Sequence, residues 1–119
     1  MRTNIGYREF GSVPGYDHQV GIAVPFKEAT AAELPSPAED VLIGEVEETI
    51  ASSLEGQAES LFVAVITTGR MREFVFYTRE PQRVKQRFEE LRNRITSHEI
   101  QLTIQSDKTW RVYAQLGLG

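Results

Sequence analysis

Residues 61–67 and 71–78 are two apolar runs joined only by Thr68-Gly69-Arg70, and no other feature constrains the fold of this chain so tightly. Both runs are rich in β-branched and aromatic residues, and a three-residue connection containing glycine closes such a pair into a β-hairpin. On each side of the hairpin the apolar period changes from two to that of a helix. Upstream, Ser36 and Glu39 form a capping box around Pro37, and Leu42, Val46, Ile50 and Leu54 recur as one buried stripe. Gly56 supplies the stop. Downstream, Glu80-Pro81 opens a second helix with the stripe Val84, Phe88, Leu91 and Ile95, while Lys85 with Glu89 and Glu90 with Arg94 dress its solvated face.

Two more strands complete the pattern. Residues 18–24 alternate, with Val20, Ile22 and Val24 against Gln19, Gly21 and Ala23, and Pro25 ends the run. Ile100, Leu102 and Ile104 alternate with Gln101, Thr103 and Gln105 in a last strand, after which Asp107 caps a short closing turn carrying Trp110 and Tyr113. The order is strand, helix, strand, strand, helix, strand. Right-handed crossovers then give an α+β, ferredoxin-like βαββαβ two-layer sandwich, its antiparallel four-stranded sheet holding the first and third strands in the middle. Residues 18–116 make one such domain, and residues 1–17, with Tyr7, Phe10 and Tyr16, are an N-terminal arm or extra strand.

With both helices on one side, the second face of the sheet needs a cover. Alternation turns Phe74 and Phe76 toward the helices and puts Val63, Val65, Val75 and Tyr77 on the open side, a candidate interaction face. Three occupants suit it: the N-terminal arm, a second copy in a sheet-to-sheet homodimer, or a ligand or different protein. A candidate pocket at Tyr77, Trp110 and Tyr113 is the alternative, a small-molecule or enzyme site. The tail of Asp107, Trp110 and Tyr113 also reads as a lock closing the core.

Catalytic chemistry finds little support. The chain of 119 residues has no cysteine, which removes disulfides, thiolate metal sites and cysteine nucleophiles together. His18 and His98 are read as strand-end or surface histidines, with no second histidine at metal-ligand spacing. Gly69 is a hairpin glycine rather than a phosphate loop, no Gly-x-Ser-x-Gly elbow is present, and Glu39-Asp40 and Glu47-Glu48 belong on a solvated helix exterior. No enzyme, metal or cofactor is expected. The charges of residues 36–59 are all acidic and those of residues 79–94 mainly basic, yet the net charge is −4, which disfavours a nucleic-acid partner. Phe74-Val75-Phe76-Tyr77 ends like the third-strand signature of RNA-recognition domains, but Met71-Arg72-Glu73 replaces its glycine-aromatic-glycine part. No apolar stretch approaches the roughly 18 residues of a membrane span, and the first residues lack a secretion signal, so a cytoplasmic location is expected.

Arg72-Glu73-Phe74-Val75-Phe76-Tyr77-Thr78, the following helix, the strand over residues 100–105 and Asp107-x-x-Trp110-x-x-Tyr113 together resemble family 695 of the domains of unknown function. The chain is more distantly similar to the type B regulator of ribonuclease E activity, which ends in a comparable Asp-Trp-Tyr pattern. The first resemblance implies the ferredoxin-like fold. The second implies a protein-binding inhibitor rather than a catalyst. Taken together, the expectation is a protein-interaction or regulatory module without catalysis.

Overall fold

In the computed structural model, residues 2–3, 12–27, 36–68 and 70–117 are described. Their elements run β1 (Arg2–Thr3), β2 (His18–Pro25), α1 (Pro37–Gln57), β3 (Ser60–Thr67), β4 (Met71–Thr78), α2 (Pro81–Arg94), β5 (Gln101–Ser106) and α3 (Arg111–Gly117). The sheet order is β1-β3-β4-β2-β5 and every pair is antiparallel. From β2 to β5 this is the ferredoxin-like arrangement, with β2 and β4 central as right-handed crossovers require. The extra edge strand β1 sets Arg2 opposite Val65 and Thr3 opposite Ala64. Tyr7 and Phe10, assigned above to an N-terminal arm, lie outside the described residues.

The helix-side core gathers Val20, Ile22 and Val24 of β2, Phe74 and Phe76 of β4, and the apolar faces of α1 and α2. In α2 the buried residues are Val84, Phe88 and Leu91 at the expected spacing, with Ile95 partly buried at the C-terminal cap. In α1 they are Ile43, Val46, Ile50 and Leu54, while Leu42 is 39% exposed, so the expected stripe needs correction by one position. The cause is helical geometry. At about 100° per residue, steps of four from Leu42 drift about 120° by Leu54, whereas Ile43 and Leu54 lie within about 20° of one another.

Strand β3 also departs from simple alternation. A register shift between Phe62 and Ala64 places a bulge at Val63, so Val63 and Ala64 both turn away from α1 and α2. Beyond the bulge the faces are exchanged. Val65 joins the helix-side core and Ile66 packs on the other side, the reverse of the expected placement.

The second face is not open along β3 and β4. Helix α3 lies across it, and Trp110 and Tyr113 form a second core with Val63, Ala64, Val75 and Tyr77, joined at its margin by Val13, Tyr16, Leu61, Ile66 and Leu116. The closing turn expected after β5 is thus a helix that makes a third layer. Among the described residues no helix is long and apolar enough to cross a membrane.

Candidate functional site

Asp107 organises the cover. Its Oδ1 accepts from the Arg111 N–H at 2.8 Å and its Oδ2 from the Val112 N–H at 3.0 Å, which caps α3. The Tyr77 hydroxyl donates to the same Oδ2 at 2.7 Å and accepts from the Tyr113 N–H at 3.2 Å, pinning the helix to β4. Trp110 stacks on Tyr77 with centroids 4.1 Å apart and meets Tyr113 edge-on at 5.6 Å, while its Nε1–H donates to the Tyr16 carbonyl at 2.8 Å. Tyr77, Trp110 and Tyr113 do come together as the sequence suggests, but their rings fill the space between them and leave at most 3% of any one exposed. That corrects the pocket reading: the aromatics occupy the cavity they were expected to line. A surface cleft of about 400 Å³ lies elsewhere, lined by Glu48, Thr49, Ser52, Ser53 and Arg94.

The candidate interaction face is corrected in the same way. Val63, Val75 and Tyr77 are wholly buried beneath α3, and Val65 lies on the opposite side of the sheet. What the cover leaves is the β2–β5 half of the second face, which is polar. Strand register sets Gln19 beside Gln105, Gly21 beside Thr103, and Ala23 between Glu73 and Gln101. The Gln105 Nε2–H donates to Gln19 Oε1 at 2.9 Å and the Thr103 hydroxyl to the Gly21 carbonyl at 3.4 Å. The Glu73 and Thr103 side chains close over Gly21: a Cβ there would stand 2.7 Å from Glu73 Oε2 and 2.8 Å from Thr103 Oγ1, so one of them would have to shift.

Beside this strip runs a free edge. β5 is last in the sheet order, with β2 on one side and no strand on the other among the described residues. Gln101, Thr103, Gln105 and Ser106 are exposed, and Leu102 and Ile104 only half-buried. In an antiparallel strand with one neighbour, alternate residues direct their N–H and C=O outward without a ladder partner.

The family described as "Family of unknown function (DUF695)" matches residues 1–116. The chain belongs to this family. No curated protein and no solved structure matches it. Within this DUF695 chain, the segments that suggested the family, β4 and the Asp107-x-x-Trp110-x-x-Tyr113 tail, are the two halves of one packing unit.

A further pair escaped the sequence reading. His98 and Glu39, taken above for solvated groups, are both 6% exposed, and His98 Nε2 lies 2.7 Å from Glu39 Oε2. The Lys27 N–H donates to the same oxygen at 2.7 Å, so the end of β2, the first turn of α1 and the α2–β5 connection meet at one carboxylate. The capping box was the available signal, since it turns the residue at its third helical position back toward the incoming chain.

The titratable groups set the pH range of this architecture. Burial works against the Asp107 charge, but donation from Val112, Tyr77 and Arg111 and the Arg111 charge together hold its carboxyl below the ordinary 3.8. Its contribution is present above that value and lost as pH falls through the depressed one. Burial foremost, then the bond to Asp107, pushes the Tyr77 phenol above its ordinary 10.0, so its contribution holds below that value and fades as pH rises further. Burial also pushes the Glu73 carboxyl above 4.5, so stability falls as pH climbs from 4.5 toward the raised value. Glu73→Gln is expected to flatten that decline and leave a slightly higher melting temperature than wild type at pH 7. Thermal melts from pH 4 to 8 check this, and parallel profiles for the two proteins would contradict it.

Proposed function

We propose that this DUF695 chain is a non-catalytic binding module that takes up another polypeptide along the free edge of β5 and the polar strip of Glu73, Thr103 and Gln105 beside it. The observation carrying the reading is the unguarded character of that edge. β5 runs Gln-Leu-Thr-Ile-Gln-Ser, with no charge, proline or glycine to deter an incoming strand. Exposed edges usually carry such guards, because unpaired main-chain groups are a template for any extended segment. Strand addition supplies affinity through the ladder, and side chains on alternate positions supply selectivity. The exposed amides of Gln101 and Gln105 are suited to the latter, each carrying both donor and acceptor groups.

The test is capture from extract of the source cells with wild type and with Thr103→Lys/Gln105→Lys, which adds charge at two exposed positions. Loss of the captured protein in the variant, with an unchanged circular dichroism spectrum, supports the edge. Equal capture by both proteins contradicts it. Capture by strand addition should also weaken only mildly between 50 and 200 mM salt, where a protein making 6–10 phosphate contacts on nucleic acid loses about a thousandfold or more.

A further inference from the structure

The sequence of β5 limits what can pair with it. Resting on the edge-binding reading above, we propose that the partner strand is β5 of a second copy, the two running antiparallel about a two-fold axis at Thr103 and joining two sheets into one.

A two-fold contact must be self-complementary, with residue i meeting j and j meeting i. Opposed residues of an antiparallel pair also share a face of the sheet. Gln101-Leu102-Thr103-Ile104-Gln105 meets both conditions because it reads nearly alike in either direction. Centred on Thr103, it sets Gln101 against Gln105 of the second copy, Leu102 against its Ile104, and Thr103 against its own equivalent. The glutamine amides then pair donor to acceptor, and the two threonine side chains stand side by side on the same face. On the other face Leu102 and Ile104, half-buried at the margin of the main core, gain the cover that one chain lacks.

Among the described residues the opposite edge of the sheet offers no equivalent strand, since β1 comprises Arg2 and Thr3.

The chain lacks cysteine, so each cysteine variant carries a single thiol. Sedimentation equilibrium of the full chain should give twice the chain mass at high concentration. Mild oxidation of Thr103→Cys should give a covalent dimer. Gln101→Cys should not, because its equivalent lies four residues away along the pair, about 13 Å, beyond the reach of a disulfide. A monomer at every concentration, or cross-linking at residue 101 as readily as at 103, overturns the proposal. If that monomer still captures a partner from extract in a β5-dependent way, edge binding stands and only the identity of the partner strand is wrong. If capture is also indifferent to β5, both readings fall.

Discussion

Trp110→Ala is expected to lower folding stability by about 3–5 kcal/mol, the range for truncating a large buried aromatic. The indole has no exposed surface, and three contacts go with it: the stack on Tyr77, the edge contact with Tyr113 and the Nε1–H bond to the Tyr16 carbonyl. Removing it uncovers Val63, Val75 and Tyr77 together, so α3 should lose its seat on the sheet and the segment around Tyr16 its anchor. Backbone geometry refines the expectation. Trp110 has φ of 57°, a left-handed conformation that disfavours any side chain with a Cβ. Alanine keeps that penalty without the ring. Trp110→Gly should therefore be no less stable than Trp110→Ala, although glycine is ordinarily the more destabilising of the two. Urea denaturation followed by circular dichroism checks both variants, the chain having a single tryptophan and hence no indole signal once it is replaced. A Trp110→Ala midpoint equal to wild type would remove the role assigned to α3.

Why this cover was only half legible in the sequence is a matter of local against non-local information. The Asp-x-x-Trp-x-x-Tyr spacing announces a cap and two aromatics on one helical face, and both are found. Where a seven-residue helix docks is set by the sheet it meets, and nothing within those residues records that. The two apolar sides of β3 were the clue, because a strand apolar on both faces is covered on both. The bulge at Val63 was harder to see. Leu61 to Ile66 is apolar at every position, so a one-residue slip changes no polarity and only Val65 betrays it by its place in the core. The helix starts followed from the capping residues and the sheet order from the crossover rule, whereas α1 runs past the expected stop at Gly56 to Gln57. With the first and third strands central, the last strand is left at an edge, and β5 is found there.

His98→Ala should be nearly as damaging, at about 2–4 kcal/mol, although its sequence context gives no warning of it. The loss has two parts. A buried hydrogen bond to a carboxylate disappears, and Glu39 is left 6% exposed with one partner fewer. The carboxylate cannot turn to water without abandoning the Lys27 N–H, which it also accepts at 2.7 Å. Glu39→Leu should cost a similar amount, because it strands the imidazole and the Lys27 N–H together. The effects should then fail to add. In Glu39→Leu/His98→Leu no buried charge is left without its partner, and two apolar side chains can pack where the pair stood, so the double variant should be more stable than the sum of the singles by about 1–3 kcal/mol. Chemical denaturation of the four proteins at pH 7 closes the cycle. Strictly additive losses would mean that His98 and Glu39 act independently and that the junction of β2, α1 and the α2–β5 connection is held by packing alone.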